Sequence, residues 1–503
     1  STSTGTLEMA GGGTCIANNG LWVGGGPTVA GGTGVITATE ASTLTVQGGM
    51  RIWGGGTVAL DHSSLSSGAA VATSPGAEIS LTEGQITAPQ MTLTGSSTAS
   101  GDGMDITGSG TVDAAISATG FGNNITAGGS LFIGKSTSTT GFSGASIALD
   151  VGAHTVTLRD ANAAVIGDTT IAARTLAAAN GLSLTTGKTI SGGGTIDAPT
   201  IVNSGSINAT TPQGFVIKGV VSGAGSLTGT LFDFSNTGGL TGTGTINSQI
   251  RGTSGSVITS TGALSLGTAS SVGFSFDGTL RTGANTITLH DTSVAAVGNV
   301  ELAGGTLFCT DTDMTSDLND VTSGFGTIGV SPRSWINAGT IRPSGSGADT
   351  TGQISVAGNV NAANAFHSTV FDMDIGGTTS NNIDRFAVVG ALTIDGTLRV
   401  RFVPGYVPFG GELFTVITAN SITGNFTTLD LPARTRVIVN PTNVQVEALC
   451  VADFNEDGSV DGDDVIGNFA AWDNGLIEAD TNGDGSVDGD DVIFFFDHWD
   501  SGC

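Results

Sequence analysis

The sequence predicts a mainly β chain: a long β-solenoid followed by a small α-helical module of two calcium loop-helix units. Three observations predict it. Residues 1–445 alternate short Thr, Val, Ile and Leu runs with Gly, Ser, Asn and Asp, as strands between tight turns would. A glycine phrase recurs through that stretch at regular intervals. An acidic twelve-residue phrase then occurs twice within residues 450–503.

The body comes first. Leu44-Thr-Val-Gln, Ile79-Ser-Leu-Thr, Thr155-Val-Thr-Leu and Leu392-Thr-Ile-Asp are typical of its strands. The phrase G-x-G-T-[Ile/Val] starts at Gly54, Gly108, Gly192, Gly242 and Gly324. The gaps fit two, three, two and three steps of roughly 27 residues, and a repeat in that range means stacked units. A chain of β-sandwiches is the competing architecture, but aromatic residues make up only 6% of the chain, too few for several sandwich cores. A coil of about 27 residues gives on the order of 16 coils, and at about 4.8 Å per coil a rod near 75–80 Å long. Thr and Ser suit its flat faces, and glycine its corners.

The acidic phrase runs from Asp453 to Asp464 and returns 27 residues later from Asp480 to Asp491. In the first copy oxygen side chains stand at positions 1, 3, 5, 9 and 12, as Asp453, Asn455, Asp457, Asp461 and Asp464, with Gly458 at position 6. In the second copy they are Asp480, Asn482, Asp484, Asp488 and Asp491, with Gly485. That is the spacing with which one loop wraps a calcium ion, position 7 (Ser459, Ser486) offering its backbone carbonyl. Four carboxylates per loop repel one another unless a hard divalent cation sits among them, so two calcium ions are expected. Each loop leads into a helix with matching apolar residues: Val465, Ile466, Phe469 and Trp472 against Val492, Ile493, Phe496 and Trp499. Where the first helix has Gly467 and Asn468, the second has Phe494 and Phe495, read as exposed and therefore as a contact surface. Cys450 precedes the first loop, and a disulfide to Cys503 would close a module too small to stand on its core alone. A free thiol at Cys503 is the other reading.

Here the residues carry a resemblance. The doubled loop-helix is similar to a type I dockerin repeat of the bacterial kind that ends in Gly-Cys, here Gly502-Cys503. It implies that Asp453, Asn455, Asp457, Ser459, Asp461, Asp464, Asp480, Asn482, Asp484, Ser486, Asp488 and Asp491 are ligands, and that a cohesin-like receptor is a possible partner. Dockerins of cellulosomes use hydroxyl residues at loop positions 10 and 11 for that receptor; Gly462-Asp463 and Gly489-Asp490 stand there instead. Residues 320–445 resemble the terminal part of an autotransporter passenger, through Gly339-Thr-Ile-Arg-Pro, Asp384-Arg-Phe-Ala-Val-Val-Gly and Pro404-Gly-Tyr-Val-Pro-Phe-Gly. That resemblance implies a right-handed, surface-exposed or secreted β-helix.

Charge and cysteines narrow the classes. The net charge of −28 is concentrated, with fifteen Asp and Glu and no Lys or Arg in residues 450–503. With three lysines in the whole chain, nucleic acid is not the expected partner. No run of 18 apolar residues exists, so no transmembrane helix is expected. The start at Ser1 is consistent with a removed export signal, and calcium loops with a disulfide suit an extracellular setting. Cys15 and Cys309 lie about eleven coils apart, on the order of 50 Å along a straight solenoid. A disulfide needs α-carbons within about 7 Å, so these two are expected free or joined between molecules.

An enzyme is not expected. Arg399 with Arg401, and Arg434 with Arg436, read as solvated strand surface; Asp372 and Asp374 alternate on one strand as a glycosidase pair would, but the spacing suits a turn or surface position about as well. The histidines are scattered, and no G-x-S-x-G elbow, phosphate loop or zinc spacing appears. The expected function is that of a secreted structural subunit, self-associating head to tail into a calcium-stabilised fibre or surface layer. The alternatives are a monomeric adhesin or scaffold-anchored protein whose dockerin-like module binds a separate receptor, and a polysaccharide-active β-helix enzyme.

Overall fold

The computed structural model describes residues 4–501 apart from 100, 235–236, 271–272, 345–350 and 364–366. The chain is mainly β, a parallel-stranded β-solenoid followed by two α-helices within residues 462–501, as expected. It divides into two compact units, residues 1–268 and 269–503.

In the first unit each strand lies in parallel register on the equivalent strand of the next coil. Leu7 stacks on Ile36, then Val58, Ile79, Ile106, Ile125 and Leu149. From Ile36 onward this column is buried, and its strands alternate inward and outward residues as the two-residue period of a strand requires. Each buried aliphatic side chain contributes roughly 1.5–3 kcal/mol. A coil adds several such side chains together with a row of backbone hydrogen bonds, and this makes a threonine- and glycine-rich sequence foldable.

The coil length differs from the 27 residues expected. Thr107 stacks on Thr126, Asp150, Thr170 and Ser191 in turn, so the interval from Gly108 to Gly192 holds four coils rather than three. In the second unit coils lengthen, Gln353 stacking on Arg385 and Thr340 on Val370. The glycine phrase marks a corner. Gly108 (φ +115°) and Gly192 (φ +116°) turn the chain where a Cβ would lie under 2 Å from the carbonyl oxygen of the coil below. Coils that turn this corner with other residues leave the phrase irregularly spaced, and counting glycine phrases therefore undercounts coils.

The second unit packs larger side chains. Trp335, Phe371 and Phe386 are fully buried, with Trp335 edge-on to Phe386 at 6.3 Å and Phe371 meeting Phe426 edge-on at 5.7 Å. Here the ladder changes direction. Leu413–Gly424 pairs in parallel with Arg385–Ile394 but antiparallel with Asn443–Ala448, which pairs antiparallel with Thr435–Val439. The antiparallel turn-back covers a parallel edge that would otherwise be open for pairing.

Candidate functional site

Both acidic phrases fold into the same loop. In the first, the Asp457 and Gly458 amides donate to the two Asp453 carboxylate oxygens at 3.0 Å each, and the Ser459 amide donates to Asp457 Oδ1 at 2.9 Å. In the second, the Asp484 and Gly485 amides donate to Asp480, and the Ser486 amide to Asp484. Gly458 and Gly485 both have φ +88°, with open space where a Cβ would be. Backbone conformation therefore selects glycine at position 6, not crowding.

Position 12 closes each loop from within. Asp464 accepts the Asn455 amide on Oδ1 and the Asp461 amide on Oδ2, and Asp491 accepts those of Asn482 and Asp488. Both carboxylates are buried. Helix α1 (Gly462–Asp473) starts from a capping box between Asp461 and Asp464, and α2 (Gly489–Ser501) follows the second loop. Acidic side chains at both N-termini favour the helix dipole.

The inward turn of position 12 sets the buried face of each helix and corrects the expected one. On α1 the buried residues are Asp464, Asn468 and Ala471, while Ile466 is 69% exposed and Phe469 lies at the surface edge. On α2 the equivalent of Asn468 is Phe495, which is fully buried, edge-on to Phe496 at 5.4 Å and tilted against Trp499 at 6.0 Å. Phe495 is thus a core residue, not half of an exposed pair. Phe494 is half-buried against His498, with ring centroids 4.3 Å apart. The residue missed is isoleucine: Ile466 and Ile493, at the same place in each repeat, both project into solvent. Leu476 and Ile477 between the helices add to the exposed apolar surface.

Asn455, Asp457, Ser459 and Asp461 are exposed, as are Asp484, Ser486 and Asp488, with Asp453 and Asn482 half-buried. Among the described residues no three His, Cys, Asp or Glu side chains are gathered as a ready-made ligand group. Their oxygens are turned to backbone amides instead. The donor set still suits calcium: each loop offers only hard oxygen atoms, and each carboxylate oxygen holding one amide keeps a second lone pair.

Arg434 ties the first loop to the β unit. Its guanidinium stands 4.6 Å over the Phe454 ring and donates to the Asp453 carbonyl at 3.4 Å. Burial lowers its pKa, while the Glu456, Asp453 and Asp464 charges oppose that change. It is not the solvated residue its strand pattern suggested. Arg436, by contrast, pairs with Glu447 at the surface.

Cys450 is disulfide-bonded; Cys503, its expected partner, lies outside the described residues, as does Gly502. Cys15 and Cys309 are free thiols. Cys309 is buried, and desolvation pushes its pKa to about 12.

A second polar cluster was misread from sequence. Asp372 and Asp374 are buried, not surface residues. Arg342 and Arg401 both bond Asp372, at 2.6 and 2.8 Å, so Arg401 holds a buried carboxylate while Arg399 pairs with the exposed Asp430. Beside them Asp384, missed altogether, accepts the Gly352 amide at 2.8 Å and the Asp374 amide at 3.1 Å. Burial, reinforced by the Asp374 charge, pushes Asp384 up to about 7. Asp374 is raised for the same first reason, then by Asp372. His290 and His367 each bond one aspartate, Asp311 and Asp395, and His62 lies between Asp61 and Glu83.

No family model matches the chain, and no curated protein does. A solved structure that matches is the Hap adhesin of Haemophilus influenzae, at 14% identity and a TM-score of 0.24. The match covers 84% of this chain and 65% of the adhesin chain, slightly under two thirds of it. No helix among the described residues is long and apolar enough to cross a membrane.

Proposed function

We propose that this chain is an exported attachment protein, a β-solenoid body held to a separate receptor through residues 450–503. One observation carries the reading: two loop-helix units with matching hydrogen-bond patterns each present an isoleucine, Ile466 and Ile493, to solvent. Exposed aliphatic residues repeated at one position on an acidic surface are what a small docking module offers a partner. The fibre expected from sequence is not retained as the main reading, because the sticky surface argued for it included Phe495, a core residue.

In this reading Asp453, Asn455, Asp457, Asp461 and Asp464, with the Ser459 carbonyl, would hold one calcium ion. Asp480, Asn482, Asp484, Asp488 and Asp491, with the Ser486 carbonyl, would hold the second. Calcium would supply the positive charge that lets four carboxylates per loop stay together, fixing the helices that carry the two isoleucines. A disulfide from Cys450 to Cys503 would tether the module's ends.

The test has two parts. Calorimetric titration of the full chain with calcium should show uptake of two ions, and Asp453→Ala with Asp480→Ala should abolish it. The purified chain should bind envelopes of the cells that make it in calcium but not in chelator, and Ile466→Asp with Ile493→Asp should release it. Absence of calcium uptake, or polymerisation into filaments at millimolar calcium, would overturn the proposal.

A further inference from the structure

Far along the sequence from the acidic loops, three coils of the second unit line up a surface column. Gln353 stacks on Arg385, and Phe325 precedes Gly326, which stacks on Ile354, so Phe325, Gln353 and Arg385 follow one another on consecutive coils. They line one wall of a cavity of about 410 Å³, completed by Thr351, Ser380 and Asn381. At one coil per roughly 4.8 Å the column runs about 10 Å, the length of a disaccharide.

The chemistry of the lining is specific. Phe325 is 54% exposed, and one edge of its ring lies 3.3 Å from where a Gly304 Cβ would be. An exposed ring of this kind offers a face to the C–H side of a pyranose. The amides of Gln353 and Asn381 and the Ser380 hydroxyl supply paired donors and acceptors for ring hydroxyls. Arg385 makes no ion pair among the described residues, whereas Arg281, Arg342, Arg399, Arg401 and Arg436 all do. A guanidinium two coils from an aromatic platform is a fork for an anionic group one sugar further along. The chain's acidity does not oppose this locally, because seven of its twelve arginines lie between Arg333 and Arg436.

We propose that this cavity binds an acidic oligosaccharide, one ring on Phe325 and the carboxylate or sulfate of the next on Arg385. The site is separate from the proposed docking module, so a failure of either reading leaves the other standing. The wall is built rather than loose: Thr351 donates to the Asn381 carbonyl at 2.6 Å, and the Gly352 amide is fixed by Asp384.

The test is calorimetric titration of the full chain with trigalacturonate, with a sulfated dextran oligosaccharide and with plain dextran oligosaccharide. Chelator is present throughout, so that calcium cannot bridge sugar to protein. Saturable binding of one or both acidic sugars is expected, and which of the two binds identifies the anion. Phe325→Ala and Arg385→Ala should each weaken it by about tenfold or more, Arg385→Lys by less, and Arg399→Ala not at all. Unchanged melting of the four variants excludes misfolding. Equal binding of plain dextran, equal loss with Arg399→Ala, or no binding at millimolar sugar would overturn the proposal.

Discussion

Asp384 makes the second unit sensitive to pH in a direction opposite to that of an ion-paired carboxylate. Its folded pKa, about 7, lies above the ordinary 3.8 because the carboxyl is buried beside Asp374, with no basic partner among the described residues. Between those two values the folded chain holds a proton that the unfolded chain has lost. Stability therefore falls as pH rises through this window and is flat above it. A rise from 3.8 to about 7 corresponds to a loss of about 4 kcal/mol at most. The change is read best locally, because a chain of two units need not unfold in one step. Hydrogen exchange of the strand Arg385–Ile394 should show protection that weakens from pH 5 to pH 8, after correction for intrinsic exchange. In Asp384→Asn the group cannot ionise, so that slope should largely vanish. The variant should be less protected than the parent at pH 5, because its amide nitrogen meets one of the two donors Gly352 and Asp374. At pH 8 the order should reverse. Parallel pH profiles for parent and variant would refute the argument, since they would mean that Asp384 is ionised in the fold throughout.

Other consequences are checked more quickly. Phe495→Ala should destabilise the helical module by about 3–5 kcal/mol, whereas Ile493→Ala should change it by under about 0.5 kcal/mol, both read by urea titration of module fluorescence. Arg434→Ala should raise hydrogen exchange across residues 453–458, at a cost of roughly 1–2 kcal/mol from the lost cation–π contact and carbonyl bond. Calcium at a hundredfold excess over its dissociation constant should stabilise the module by about 2.7 kcal/mol per site, an increment absent in Asp453→Ala with Asp480→Ala. A thiol reagent at pH 8 should leave Cys309 unmodified until the chain unfolds, judged by peptide mapping, because burial keeps it protonated.

The loops were legible because every constraint on them is local. A twelve-residue hydrogen-bond pattern depends on residues within twelve positions, and the 27-residue offset between copies exposed it. The solenoid texture was legible for the same reason, since alternation and turn residues act over a few positions. Coil length was not, because a corner can be turned by Gly108 in one coil and by other residues in the next. The helix face was read from apolar residues alone. It missed that a position-12 aspartate turns inward and carries its own neighbours, Asn468 and Phe495, in with it.

The buried acids show why such errors gather around charge. In the strand Val370–Ile375, Phe371, Met373 and Ile375 alternate with Asp372 and Asp374, a pattern that predicts one apolar and one wet face. Both faces are buried. Asp372 tolerates this because Arg342 and Arg401, some 30 residues before and after it, arrive on neighbouring coils to hold its two oxygens. Their arrival depends on coil register, which no short window of sequence contains. Asp384 tolerates it by a different route, through two backbone amides and a retained proton. The second unit thus buries acids by two means, ion pairing at Asp372 and backbone hydrogen bonds at Asp384. Removing the arginines should expose the difference: Arg342→Ala with Arg401→Ala strands the Asp372 charge and should destabilise the second unit by about 3–5 kcal/mol at pH 7. Most of that loss should be recovered when Asp372→Asn is added, because no charge is then left unpaired. A loss equal with and without Asp372→Asn would show that the arginines serve by packing rather than by charge.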